Sequence, residues 1–139
     1  MSVEDFLDTN VFVYLFDETD PRKRERAERL VNWALEHQTG CISFQVVQET
    51  LNIMTRKLKV PPETARRLLH GILMPLCRVF PTQALYDRAL GLQARYRLDF
   101  YDSLIVAAAI EAGCTTLYTE DLQHGQQISG VVITNPFGK

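Results

Sequence analysis

Four acids in this sequence stand where a carboxylate could act on a ligand: Asp8, Glu49, Asp102 and Asp121. Asp8 follows the apolar pair Phe6-Leu7 and precedes Thr9-Asn10 and the apolar-rich run Val11 to Phe16. That is the pattern of a buried strand passing into a helix through an acid on the turn. Asp121 follows the short apolar stretch Thr115 to Tyr118 by way of Thr119-Glu120. Asp102 opens Ser103 to Ala112, a segment apolar on nearly every face and therefore expected as a buried helix. Glu49 falls three residues after Val46 and four before Ile53, so it borders the helical stripe Val47, Leu51, Met54 and Leu58 rather than opposing it.

Each acid also has a plain structural reading. Asp8 and Asp121 can cap the helices that follow them. Glu49 can pair with Arg56 at the core margin. Asp99 can cap the apolar helix, with Asp102 in its first turn near the positive end of the dipole. Asp102 nevertheless shares a face with Ile105, Val106 and Ala109, which favours a site. Glu120 is expected to point to solvent.

The case changes when the acids are taken together. If the strands run parallel, all four carboxylates arrive at one edge of the sheet, where ligands bind in open α/β folds. Carboxylates crowded in one pocket repel one another unless a cation neutralises them. With no His or Cys among them zinc is disfavoured, and a hard divalent cation such as Mg²⁺ or Mn²⁺ is favoured. Such a site suits metal-assisted phosphodiester hydrolysis.

The positioning elements are readable in outline. Strands are expected at Val3 to Leu7, Cys41 to Ser43, Leu76 to Phe80, Thr115 to Tyr118 and Val131 to Ile133. Helices are expected at Val11 to Phe16, Arg22 to Gln38 with Gly40 as its stop, the stretch after Ser43 with that serine as cap, Glu63 to Leu73, Gln83 to Tyr96, and Ser103 to Ala112 stopped by Gly113. Alternation of this kind implies an α/β fold, a three-layer α/β/α sandwich around a parallel sheet of about five strands. The 139 residues suit a single domain spanning 1–139, and 46% hydrophobic with 23% charged residues is ordinary for a folded globular chain.

A formal net charge of −2 excludes a globally basic nucleic-acid binder, so any such contact needs a local patch. No apolar run is long enough to span a membrane. The acidic start Met1-Ser2-Val3-Glu4-Asp5 lacks the basic opening of a secretory signal, and a cytoplasmic protein is expected. Cys41, Cys77 and Cys114 are far apart and sit among apolar or small residues, the pattern of buried free thiols. His37, His70 and His124 have no partner at ligand spacing, and Trp33 is expected to pack on a neighbour.

Phe6-Leu7-Asp8-Thr9-Asn10-Val11 resembles the first motif of PIN-domain ribonucleases. Val47-Gln48-Glu49-Thr50-Leu51-Asn52 is similar to the second, Tyr101-Asp102-Ser103-Leu104-Ile105-Val106-Ala107-Ala108-Ala109 to the third, and Thr119-Glu120-Asp121-Leu122 to the fourth. The four occur in order and span nearly the whole chain. The compact form most resembles the toxin of VapBC-type toxin–antitoxin systems. The resemblance implies Asp8, Glu49, Asp102 and Asp121 as ligands of one or two Mg²⁺ or Mn²⁺ ions, with Thr9, Asn10 and Thr119 orienting them. It implies cleavage of single-stranded RNA by a metal-activated water, a homodimer, and a cognate antitoxin partner. Asp99 departs from the pattern and is expected to cap its helix.

Arg56, Lys57 and Lys59 are the local cations that could meet RNA, against the plain reading of a solvated helix face; Arg66 and Arg67 are further candidates. Two rivals stand beside the nuclease. One is a non-catalytic PIN-fold module that binds RNA or protein. The other is a Mg²⁺-dependent phosphatase with Asp8 as nucleophile, weakened because Asn10 occupies the place of the usual second acid.

Overall fold

The computed structural model describes residues 3–138, so Met1 and Ser2 of the acidic start lie outside it, as does Lys139. The first strand, β1 (Asp5–Leu7), has both Phe6 and Leu7 fully buried, as a strand covered on both faces requires. Asp8 ends it and caps α1 (Thr9–Val13), which tightens into a 3₁₀ turn at Tyr14–Phe16. Asp20 caps α2 (Pro21–His37), whose Pro21 fills the first helical turn at no hydrogen-bonding cost.

The stop of α2 differs from the expectation. Gln38, not Gly40, takes the left-handed conformation, with φ 57°. Gly40 opens β2 (Gly40–Ser43) and is needed for a close approach, since a Cβ there would lie 2.5 Å from Ala34 Cβ. Ser43 caps α3 (Phe44–Arg56) as expected, accepting from the Val46 N–H at 3.4 Å.

The single helix expected at Glu63 to Leu73 is broken into α4 (Pro62–Leu68), a π turn at Leu69–Leu73 and α5 (Met74–Leu76). Pro75 offers no N–H to the turn before it and its ring crowds the preceding carbonyls, so the helix widens there. After β3 (Cys77–Val79), Thr82 caps α6 (Gln83–Tyr96). Asp99 caps α7 (Phe100–Glu111), which buries every residue from Ser103 to Ala109. Gly113, at φ 81°, closes α7 in a Schellman arrangement: Cys114 N–H bonds to Ala109 O and Gly113 N–H to Ile110 O, both at 3.0 Å.

The last strands are β4 (Thr116–Tyr118), β5 (Gln127–Ile128) and β6 (Val131–Thr134). The sheet order is β3-β2-β1-β4-β6-β5, parallel throughout except for β5 against β6. The five parallel strands are those expected, and the antiparallel β5 adds a sixth at the edge. Ser129 and Gly130, at φ 49° and 87°, make the two-residue turn, and both central positions of such hairpin turns require positive φ.

The chain steps from β1 outward to β2 and β3, then returns to β4 on the other side of β1. Right-handed connections running in opposite directions place α2 and the α6–α7 pair on opposite faces, giving the three-layer sandwich. The reversal occurs between β1 and β4. The strands stay paired out to Leu7 and Tyr118, and the chains leaving their carboxyl ends diverge there and open a crevice.

Candidate active site

The crevice between β1 and β4 is a cavity of about 570 Å³ whose wall includes Asp8, Glu49, Asp102 and Asp121. The four acids, far apart in sequence, therefore come together. Their positions follow from the elements: Asp8 ends β1, Asp121 lies three residues past β4, Asp102 is in the first turn of α7, and Glu49 is in the second turn of α3, entered from β2.

Asp8 is the most enclosed, with 5% of its surface exposed. Its Oδ1 accepts the Thr9 N–H at 2.7 Å and its Oδ2 accepts the Thr119 hydroxyl at 2.8 Å. Burial pushes its carboxyl up to about 7; the hydrogen bonds from Thr119 and Thr9 oppose that rise, and the charges of Asp121 and Glu49 add to it. The cap reading of Asp8 holds, since Oδ1 caps α1, and Oδ2, engaged by Thr119, leaves the carboxylate at the cavity wall.

Thr119 is fully buried and acts as a hub. Its hydroxyl donates to Asp8 and accepts from Asn10 Nδ2 at 3.3 Å and from the Asp121 N–H at 3.1 Å, which uses its full capacity. Asn10 Nδ2 also donates to Asp121 Oδ2 at 3.2 Å, while Asn10 Oδ1 is buried with no hydrogen-bond partner. Thr9 Oγ1 donates to Glu49 Oε1 at 2.8 Å. The three supporting residues named from sequence therefore each touch one of the acids.

Glu49 makes no ion pair with Arg56. The ion pairs among the described residues are Lys23–Glu120, Arg29–Glu25 and Arg66–Glu63. Glu49 is held instead by Thr9 and by Gln45 Nε2 at 3.1 Å, one helical turn earlier. Asp102 is half-buried, and its carboxyl is pushed up to about 6, by burial first and then by the charges of Asp99, Asp121 and Glu49. Asp99 is the cap, accepting the Asp102 N–H at 2.8 Å.

Several neighbours were not singled out from sequence. Gln45 ties Glu49 to α7 through the Tyr101 carbonyl at 3.3 Å; its spacing of four from Glu49 on one helix was the available signal. Glu120 does not point to solvent. It accepts from the Tyr14 hydroxyl at 2.6 Å and from Lys23 Nζ at 3.2 Å, partners 106 and 97 residues away that no local pattern reveals. Of the three cations expected to meet RNA, Lys57 lines the cavity, whereas Arg56 and Lys59 are exposed outside it. Trp33 stacks on His37 with ring centroids 3.7 Å apart but stays 56% exposed. Cys41 and Cys114 are buried and Cys77 half-buried, all free thiols.

The donor set fits a hard divalent cation. Every candidate ligand is an oxygen, and Asp8 is buried with hydroxyl and amide partners but no cation. Lys57 is the one Lys or Arg among the lining residues, against Asp8, Asp17, Glu49, Asp102, Glu120 and Asp121. Among the described residues no three His, Cys, Asp or Glu side chains close on a single point. Mg²⁺ does not need such a cage, because it keeps several waters and takes one or two carboxylates together with substrate phosphate. Mutual repulsion also holds bare carboxylates apart.

The same fold occurs in known proteins. A toxin–antitoxin complex from Klebsiella pneumoniae superposes with a TM-score of 0.70 at 22% identity, covering 96% of this chain and 98% of that one. VapC20 of Mycobacterium tuberculosis, described as a sarcin-ricin loop cleaving toxin, gives 0.63 at 22% identity over 82% and 87%. DNA-bound VapBC from Salmonella typhimurium gives 0.66 at 22% identity over 96% and 98%. At these identities the likeness is one of fold. No curated protein sequence matches the chain. A family model described as the PIN domain matches residues 6–126, from within β1 past the loop that carries Asp121, and the chain therefore belongs to the PIN domain family.

Proposed function

We propose that this chain is a Mg²⁺- or Mn²⁺-dependent endoribonuclease that cleaves single-stranded RNA and serves as the toxin of a toxin–antitoxin pair. The observation that carries the reading is the meeting of Asp8, Glu49, Asp102 and Asp121 on one cavity wall, with Asp8 buried and without a cation partner. A bound divalent ion would supply a lowered pKa for a water nucleophile and neutralise charge on the phosphate. Asp8, Glu49, Asp102 and Asp121 would hold it.

The chain's own residues do the rest. Thr119 and the Thr9 amide fix both oxygens of Asp8, and Thr9 Oγ1 and Gln45 fix both oxygens of Glu49. Asn10 ties Asp121 to the same frame. Lys57 offers a cation to a substrate phosphate at the wall of a cavity wide enough for a nucleotide. The exposed acids repel a polyanion until a cation is present, so RNA binding and metal binding are coupled.

Two partners belong to the same proposal. The antitoxin is supported by the fold likeness to the toxin–antitoxin complexes of Klebsiella and Salmonella. A homodimer is supported by an apolar face beside the site: Phe44, Phe80, Tyr86, Leu90 and Tyr101 are between 38% and 64% exposed. An apolar surface of that kind marks a protein contact more often than open solvent. Among the described residues no helix is long and apolar enough to cross a membrane, and we place the protein in the cytoplasm as a single domain.

The test is cleavage of total cellular RNA by purified, antitoxin-free protein with Mn²⁺ and with EDTA. Discrete fragments that vanish with EDTA and with Asp8→Asn are expected. Equal cleavage by a folded Asp8→Asn variant would remove the site assignment. RNA retained but uncut would favour the non-catalytic binding module.

A further inference from the structure

The loop after β4 carries Asp121, which lines the cavity. Asp121 is exposed and receives one amide, Asn10 Nδ2 at 3.2 Å, whereas Asp8 is buried with both oxygens engaged. Its neighbour Glu120 also lies at the cavity wall and is gripped there. The Tyr14 hydroxyl donates to Glu120 Oε1 at 2.6 Å, and Lys23 Nζ donates to Glu120 Oε2 at 3.2 Å and to the Tyr14 oxygen at 3.1 Å.

Lys23 is itself confined. Its Nζ lies 4.8 Å from the Tyr14 ring centroid and 5.9 Å from that of Phe137, and those two rings meet edge-on at 4.7 Å. The Lys23–Glu120 side chains are 26% and 24% exposed; the other two ion pairs among the described residues are local helix pairs, all about 70% exposed. Local exposed pairs contribute little. This one joins α2 to the loop beside the acids, across 97 residues.

We propose that Lys23 and Tyr14 are positioning residues for Asp121. They pin Glu120 at the edge of the cavity, neutralise its charge, and so fix the loop that carries Asp121, which can then share a divalent ion. The inference rests on the metal-site reading above and adds residues that do not themselves touch the ion. Groups behind metal ligands typically change metal affinity about 10- to 100-fold when removed.

The experiment is a calorimetric titration of metal-stripped protein with Mn²⁺. Tyr14→Phe removes the hydroxyl and keeps the ring on Phe137, so the fold is retained, which the metal-free thermal midpoint checks. Tyr14→Phe and Lys23→Met are each expected to raise the Mn²⁺ Kd about tenfold, and Lys23→Arg by about threefold or less. In an Asp121→Asn background Tyr14→Phe should change Kd by less than about twofold, because the carboxylate it positions is gone. An equal factor in both backgrounds, or no change in the first, overturns the proposal while leaving the metal site standing. Wild-type protein that takes up no Mn²⁺ overturns the metal site, and the role of Lys23 and Tyr14 with it.

Discussion

The floor and the rim of the cavity are built on different principles. At the floor, Asp8, Thr9 and Thr119 are buried, and each polar contact is fixed by a strand end or a helix start. At the rim, Asp121, Tyr101 and Lys57 are exposed and Asp102 is half-buried. The floor holds a carboxylate in a place that disfavours its charge, and the rim is free to meet solvent and substrate. A buried acid raised to about 7 is a standing cost to the folded state. The rim carries less of that cost and is where substrate choice can vary.

The largest effect that separates them is expected at Asp8. Asp8→Asn should lower RNA cleavage to below about a thousandth of wild type. The same change should raise the metal-free thermal midpoint by several degrees, because it relieves a penalty on the order of a few kcal/mol. Calorimetric melting without metal checks this, and an unchanged or lower midpoint would remove the contrast between floor and rim.

Thr119→Val should cost stability, about 1–3 kcal/mol by denaturant titration, because it strands Asp8 Oδ2 and a buried hub. It should also weaken Mn²⁺ binding about 10-fold or more. A variant as stable as wild type would mean that a water replaces the hydroxyl.

The pH dependence follows from the raised carboxyls. Asp8 at about 7 and Asp102 at about 6 lie above their ordinary value of 3.8, so the folded protein holds protons the unfolded chain has released. Stability from these groups is full below that ordinary value and is lost as pH rises through 6 and 7. Metal-free protein should therefore melt lower at pH 8 than at pH 5, to within about a unit in where the change falls. Mn²⁺ should flatten the slope by favouring the charged forms, and Asp8→Asn should remove most of it.

The smallest effect is expected at the rim cation. Lys57→Ala should raise KM for RNA a few-fold, roughly tenfold at most, leave kcat nearly unchanged, and reduce the salt dependence of binding by about one ion. An equal loss in kcat would move Lys57 from substrate binding to the chemistry.

What was legible in the sequence follows the same division. Asp8, Asp102 and Asp121 announce themselves because a strand end or helix start is a local pattern, and the parallel order carries them to one edge. Thr9, Asn10 and Thr119 came from the motif resemblance, and each is hydrogen-bonded to one of the acids. The hairpin of β5 and β6 was readable in principle from Ser129-Gly130 between Ile128 and Val131, but a two-residue strand has too little periodicity to register. The π turn before Pro75 was hidden because apolar spacing continues through it. Glu120 could not be read at all, since Tyr14 and Lys23 reach it only through the tertiary fold. The end of α2 falls where the sequence places it, but the residue that stops it is Gln38, left-handed without being glycine.

The central claim is that the four carboxylates form one divalent-cation site. Crystals grown with Mn²⁺ and measured for anomalous scattering test it directly. The structure predicts an anomalous peak in the cavity between Asp8, Glu49, Asp102 and Asp121 that is lost in Asp8→Asn. A cavity without a peak at saturating Mn²⁺, or a peak elsewhere that persists in the variant, would contradict it.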